Sequence, residues 1–353
     1  MVSLASRLES ADVGRIAQDS PMIARIQLSM LIGQMLLAML LAAWLVMSGR
    51  LPVPLAALVG AMVPLSIHAF VLGLDFLLAW AVRAERPHAG LLRGSWLWLR
   101  AWVLEIIDSM RTFSIAQPLL HRRPLASADA RSATAKLPVL LIHGFFCNQA
   151  LWLPLARRLA AAGHATAAVN LEPLHASIDD YLPQVDRAVA DLRQRTGAQE
   201  VALVCHSMGG LVARAYLRGR GDSGIASVVT LGTPHRGTVH ARFARGTNVG
   251  QMRRDSRWLQ QLAADEPPER LTRFSVIRTW QDNIVAPQGD QTLPGATTID
   301  FDGVGHVGLV YDRAVGDAVI AALARGAAQG ATAPRPPLAQ HDPLTNAKTR
   351  PAC

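Results

Sequence analysis

Cysteine is scarce: three residues in 353, at Cys147, Cys205 and Cys353. An odd, sparse set makes no disulfide framework, and no CxxC pair is present to hold a metal, so a stapled mini-fold and a zinc ribbon are excluded. Such usage fits a reducing compartment. The net charge is +9, carried overwhelmingly by arginine. The second half has no dense basic stripe with interleaved aromatics, which argues against a nucleic-acid partner. Anionic lipid beside a membrane segment is the better use of that charge. Charge is missing altogether from Ile26 to Gly49. Half of all residues are hydrophobic, and the excess sits in the first hundred.

About 20 apolar residues span a bilayer core, and "IQLSMLIGQMLLAMLLAAWLVMSG" is long enough. A secretory leader has a shorter apolar core and is not followed at once by a second run. Here a second run, Leu51 to Val82, follows after a very short connection, with Pro64 inside it and Asp75 late. Two spans joined this way form a helical hairpin with both ends on one side. Arg7, Arg15 and Arg25 precede it, Arg83, Arg86, Arg93 and Arg100 follow it, and Arg50 lies in the turn. The arginines therefore predict cytoplasmic ends, and the expected location is a bacterial inner membrane with the following domain on the cytoplasmic side. Asp75 reads as an interfacial carboxylate paired with Arg83 within the hairpin. Residues 94–120 are apolar but interrupted by Arg100, Glu105, Asp108 and Arg111 at near-helical intervals. Two readings stand: an interfacial helix, or a helix packed on the next domain.

From Lys136 the pattern changes to short apolar strands alternating with amphipathic helices, which implies a mostly parallel sheet with helices on both faces. Ser177 and Asp180 form a capping signal for the helix that stops at Gly197. In such sheets ligands collect at the carboxyl ends of the strands. "HGFF", "CHSMGG", "WQDN" and "GVGH" fall there. The expected organisation is 1–25 an N-terminal segment, 26–83 the hairpin, 84–120 the interfacial or packing helix, 121–135 a linker, 136–326 the α/β domain, and 327–353 a disordered tail.

"VALVCHSMGG" runs from a strand into a helix through Ser207. A nucleophile elbow wants small residues two before and two after the serine, because backbones nearly touch there. Gly209 meets this and Gly210 lets the helix pack closely. Cys205 stands where glycine is usual, so it is expected to strain the bend while acting as a small apolar filler. The exchange Cys205→Gly is expected to relax the turn. A serine needs a base and the base an orienting acid, in the chain order Ser, Asp or Glu, His. His306 and His341 lie beyond the candidate acids, and His341 sits in the tail. His306, in a glycine-rich loop after a strand, is the base. Asp282, which directly follows a strand, is the acid, with Asp300 and Asp302 as alternatives. His206 is a neighbour in the pocket wall. The oxyanion donors are the backbone N–H groups of Met208 and Phe145. His143, Gly144 and Phe146 shape the "HGFF" loop, and Pro234 belongs to "LGTPHRGT" beside the site.

"HGFF", "HSMGG", "GTPHRGT", "WQDNIVAP" and "GVGH", in this order and spacing over residues 136–326, resemble the α/β-hydrolase family, most closely its bacterial lipase and esterase branch. The resemblance implies a Ser207–His306–Asp282 triad, an acyl-enzyme and no cofactor. It also implies that residues 252–262, "MRRDSRWLQQL", form part of a cap over the pocket. Calcium-dependent relatives carry an acid two positions after the histidine; Gly308 stands there, so no metal is expected. The expected function is a membrane-anchored hydrolase of carboxylic esters, with an ester or lipid substrate and the bilayer as partners. An acyltransferase or thioesterase with the same triad, and a non-catalytic scaffold keeping the fold as a binding module, are the alternatives.

Overall fold

Six runs of alternating inward residues, each four to seven residues long between turn signals, can bury both faces only inside a layered domain. The computed structural model, which describes residues 22–84, 90–129, 132 and 136–332, has that architecture. Strands β1 (Lys136–Ile142), β2 (His164–Val169), β3 (Val201–His206), β4 (Ile225–Leu231), β5 (Phe274–Thr279) and β6 (Thr297–Phe301) form one sheet in the order β2-β1-β3-β4-β5-β6. All neighbouring pairs are parallel. The chain reverses its direction of travel across the sheet between β1 and β3, the place where such folds open a crevice.

The strand alternation divides the core. Leu140, Ile142, Leu203 and Cys205 pack under α5 (Leu182–Thr196) and α6 (Met208–Arg220). Val139, Leu141, Ala202 and Val204 pack under α4 (Leu153–Ala161) and α8 (Arg313–Thr332), while α7 spans Arg257–Ala264. The expected capping box forms at Ser177 and Asp180, and α5 ends at Gly197 with φ of 72°.

Ahead of this domain stand α1 (Met22–Met47) and α2 (Val53–Ala81), two helices long and apolar enough to cross a membrane. They cross closely at Gly60, where a Cβ would come within 2.8 Å of the Ala38 carbonyl oxygen, as small residues allow in membrane helix pairs. Their base rests on the α/β domain: Ile23, Ala24 and Gln27 of α1 and Leu72, Phe76 and Ala79 of α2 are buried. Helix α3 (Leu91–Met110) continues through a π-helical stretch, Arg111–Ala116, to a last turn, Gln117–Leu120. Its inner face, with Ala101, Glu105, Ser109 and Thr112, is buried. Trp96, Leu99, Val103 and Ile107 on the outer face are exposed.

Two expectations change. Asp75 does not pair with Arg83. Arg83 bonds the Trp80 carbonyl and lies over the Trp80 ring at 4.3 Å. Eight residues of helix separate the two by about 12 Å, and Asp75 instead faces the α/β domain. The tail does not begin at 327, because α8 runs on to Thr332. At Gly326 a Cβ would meet Ser227 Cβ at 2.3 Å, so this glycine lets the helix lie against β4. Residues 333–353, with His341 and Cys353, lie outside the described residues, as do Arg7, Arg15 and Arg86.

A buried ion pair joins α6 to the segment before β5. Arg214 bonds Glu266 through Nε at 2.8 Å and through Nη2, and its Nη1 donates to the His235 carbonyl at 2.9 Å. Both side chains are about 1% exposed. Removing one partner strands the other charge, a loss of about 3–5 kcal/mol. Glu266→Ala is therefore expected to lower the thermal unfolding temperature of the full chain in detergent by many degrees; an unchanged transition would contradict this role.

Candidate active site

The carboxyl ends of β1, β3, β4 and β5 converge on one cavity. Ser207 begins α6 with φ of 54° and ψ of −126°, a conformation costly for a residue with a Cβ. Its neighbours hold it there. Its N–H donates to the Leu231 carbonyl at 2.9 Å, and Thr233 Oγ1 donates to its carbonyl at 2.9 Å. A Cβ at Gly209 would stand 2.2 Å from the Ile142 carbonyl oxygen, and one at Gly210 would stand 2.2 Å from Thr233 Oγ1. Gly144 lies so close that an added Cβ would be 3.3 Å from Ser207 Oγ. The "HGFF" loop thus abuts the serine.

Cys205 keeps regular strand register, opposite Ile142 on one side and Thr230 on the other. The positive φ falls on Ser207 and not on Cys205, so cysteine does not strain the bend, contrary to the sequence expectation. Its side chain is fully buried in the core under α5 and α6. Burial pushes the Cys205 thiol well above its usual range and the Cys147 thiol up to about 12. Both remain protonated, which removes a thiolate nucleophile.

Asp282 follows β5 and has no exposed surface. Its Oδ2 accepts from His306 Nδ1 at 2.9 Å, and its Oδ1 accepts the backbone N–H groups of Ile284 and Val285 at 2.9 and 2.7 Å. Burial pulls the His306 pKa down, but the Asp282 charge, the bond to it and Glu105 outweigh burial and leave it above the usual 6.5. Asp300 lies in β6 and pairs with Arg278 at 2.7 Å, away from His306. The structure therefore brings together Asp282 and His306, and His306 and Ser207 line the same cavity of about 290 Å³.

His206 also lines it. Its Nε2 donates to the His306 carbonyl at 3.0 Å, and the two rings lie 4.6 Å apart. Burial, then the nearby His306, keep His206 far below the usual imidazole range, so it is a neutral wall residue. His143 bonds along its loop: Nδ1 donates to the Gly144 carbonyl at 2.9 Å, and Nε2 accepts the Leu171 N–H at 3.1 Å. Burial lowers its pKa to about 4. Phe145, Phe146 and Pro234 line the cavity. Of residues 252–262, Met252 alone lines it; Leu259 and Leu262 turn into the core.

The roof comes from elsewhere. Leu72 and Asp75 of α2, Glu105 and Ser109 of α3, and Phe113 of the π-helical stretch line the cavity. So does His240, whose Nε2 lies 3.9 Å from Asp75 Oδ1. That is too long for a hydrogen bond, and burial keeps His240 below its usual range, so the contact is polar without being an ion pair. Sequence reading missed these residues. The acids that break an apolar helix at Glu105 and Asp108 were the available signal.

Comparison with known proteins agrees on the fold. Residues 139–349 match the profile described as the alpha/beta hydrolase family. A triacylglycerol lipase of Burkholderia plantarii is 32% identical over 154 residues, 41% of this chain and 42% of that protein. A lysosomal thioesterase of Homo sapiens is 27% identical over 146 residues, 39% of this chain and 43% of that protein. The match thus spans less than half the length of either relative. The solved mature lipase of Bacillus licheniformis aligns with 57% of this chain and 95% of its own, at 19% identity and a TM-score of 0.47.

Two exchanges separate packing from strain at the elbow. Cys205→Gly removes a buried side chain and is expected to cost about 1–2 kcal/mol of stability with turnover kept within a few-fold. Gly209→Ala is expected to abolish both folding and activity. Expression level, thermal unfolding and ester turnover of the two variants check this; an inactive but well-folded Cys205→Gly chain would contradict it.

Proposed function

The chain belongs to the α/β-hydrolase family, and from that premise we propose that it is a membrane-anchored serine hydrolase cleaving carboxylic esters, with lipids as its substrate class. The observation that carries this reading is the 2.9 Å bond from a buried imidazole to a buried carboxylate, in the cavity that Ser207 also lines. Ser207 Oγ attacks the acyl carbonyl carbon while His306 Nε2 takes its proton. The oxyanion that forms is held by the backbone N–H groups of Met208 and Phe145. As the intermediate collapses, His306 returns the proton to the leaving alcohol. Water then attacks the acyl-enzyme by the same route and releases the acid. Asp282 fixes the imidazole orientation and stabilises its charged form.

Lipid is the favoured substrate class because the cavity wall is mostly apolar and part of it is the base of the hairpin. A leader removed at maturation would take that wall with it. The exposed part of α1, residues 28–47, is about 30 Å long at 1.5 Å per residue, the thickness of a hydrocarbon core. Trp44 with Arg50 and Trp80 with Arg83 stack at its two ends, as interfacial anchors do. The arginine balance supports a cytoplasmic α/β domain. A reporter fused after Leu120 is expected to read cytoplasmic; a periplasmic signal would overturn the sidedness.

Likeness to the human lysosomal thioesterase favours a second reading, thioester hydrolysis by the same groups; release of more free thiol than alcohol from matched substrates would select it. The direct test of the reaction class is a fluorophosphonate probe. The wild type is expected to be labelled and Ser207→Ala to be unlabelled, with kcat lowered by about 10⁶. Equal labelling of both would end the serine-hydrolase reading.

A further inference from the structure

The loop that presents His306, residues 303–308, has seven of its backbone groups held by side chains. From the α/β domain, Gln281 Oε1 accepts the Gly303 N–H, Thr279 donates to the Val304 carbonyl, and Asn283 Oδ1 accepts the His306 N–H. His206 donates to the His306 carbonyl. The remaining tethers come from α3, about 200 residues earlier in the chain. Arg100 Nη1 donates to the Gly303 carbonyl. Glu105 accepts the Val307 N–H at 2.7 Å through Oε1 and the Gly308 N–H at 2.9 Å through Oε2.

Glu105 is 1% exposed. Burying a carboxylate is costly unless it is fully hydrogen-bonded, and this one spends both oxygens on the two residues that follow His306. The loop is cut to receive it. A Cβ at Gly305 would meet Glu105 Oε2 at 2.3 Å, and one at Gly308 would meet it at 3.3 Å. Two N–H groups pointing the same way accept a negative charge better than a neutral oxygen. Beyond the loop, Thr112 of the π-helical stretch bonds the Tyr311 hydroxyl at 2.9 Å, so the segment that carries Glu105 also holds the short helix that follows the loop.

We propose that Glu105 is a positioning residue for His306: its carboxylate fixes the backbone of the histidine loop from α3, and its charge favours the imidazolium that forms during acyl transfer. This rests on the reading of His306 as the catalytic base. The helix that carries Glu105 exposes its opposite, apolar face, with Trp96, Leu99 and Ile107. The histidine is thereby held by the helix that directly follows the hairpin in the chain. The other charged or titratable groups around the pair are Asp282 after β5, His206 at the end of β3, His240 after β4, Asp75 on α2 and Asp108 one turn beyond Glu105.

The sign of the effect follows. Asp282 first, and Glu105 to a smaller degree, raise the His306 pKa. Burial lifts the Glu105 carboxyl itself to about 7 against the pull of its two N–H donors, so its charge acts on His306 from about neutral pH upward. The base must be neutral to act, so activity is lost as pH falls through that ionisation. Removing the charge lowers the His306 pKa, and the acid limb of kcat/KM moves to lower pH. Glu105→Gln keeps the size, loses the charge and sets an NH₂ group against one of the two N–H donors. The full chain in lipid nanodiscs is assayed on p-nitrophenyl butyrate across pH, with thermal unfolding in parallel. Glu105→Gln is expected to lose kcat by about 10²-fold, as a displaced catalytic group does, with KM within two-fold and the acid limb shifted down. Gly305→Ala, which pushes the carboxylate away without removing it, is expected to lose kcat similarly. Ile107→Ala on the outer face is expected to match the wild type. A folded Glu105→Gln chain with wild-type kcat, or with reduced kcat and an unmoved acid limb, would overturn the proposal; if Glu105→Gln does not fold, wild-type kcat in Gly305→Ala would do so. A wild type that neither turns over ester nor takes a fluorophosphonate would instead overturn the triad reading, and this proposal with it.

Discussion

A carboxylate without exposed surface, bonded to a buried imidazole, is the constraint around which this molecule is arranged. Burying Asp282 is tolerable because both its oxygens are hydrogen-bonded: one takes two backbone N–H groups and the other takes His306. The geometry reaches outward from there. Gly232 at the end of β4 passes so near that a Cβ would sit 3.0 Å from His306 Nδ1 and 3.1 Å from Asp282 Oδ2. Next to the pair, the backbone of Ser207 is held at positive φ by bonds to β4 and to the loop that follows it. The strain at that residue, of order 1–3 kcal/mol, is set against the packing of six parallel strands between two helical layers.

The N-terminal helices are part of the same cavity. In a free-standing α/β domain the mouth above the strand ends is closed by the domain's own loops. Here Leu72, Asp75, Glu105, Ser109 and Phe113 occupy that place. The hairpin base that carries two of them is also where the apolar, exposed lengths of α1 and α2 begin. On the proposed membrane-anchored reading, anchoring and substrate access are one structural feature. A lipid arriving from a bilayer would meet the cavity at its apolar wall, and the polar groups Ser207 and His306 lie beyond it. The π-helical stretch at Arg111–Ala116 contributes Phe113 to the roof, in line with the tendency of such bulges to mark functional sites.

Most of the α/β domain was legible in the sequence. Short apolar runs alternating with amphipathic helices located the six strands, the Ser177 and Asp180 signal located a helix start, and chain order led to Asp282 and His306. The strands and the helix start are local, each set by residues within a few positions, while the acid and the base came from their order along the chain. What escaped depends on partners far apart. An interrupted apolar helix announces that Glu105 must face something, but the sequence does not say that the something is the loop 200 residues later. Asp75 was assigned to the nearest arginine along the chain, whereas a helix sets that residue by its face and not by its distance. The tail was placed after Gly326 on composition, yet the last helix runs on to Thr332 and Gly326 marks its close approach to β4. Cys205 looked like the flaw in the elbow, yet the strained dihedral belongs to the serine.

The claim on which this account turns is that the buried Asp282–His306 pair activates Ser207. It is tested most directly by the second-order rate of fluorophosphonate labelling of the full chain, measured against pH in the wild type and in Asp282→Asn. The account predicts a wild-type rate that rises through a single ionisation above pH 6.5, the direction in which His306 is shifted. It predicts a fall of about 10⁴-fold in the variant, whose amide would hold the imidazole in the wrong tautomer. A variant labelled as fast as the wild type, with the same pH dependence, would contradict it.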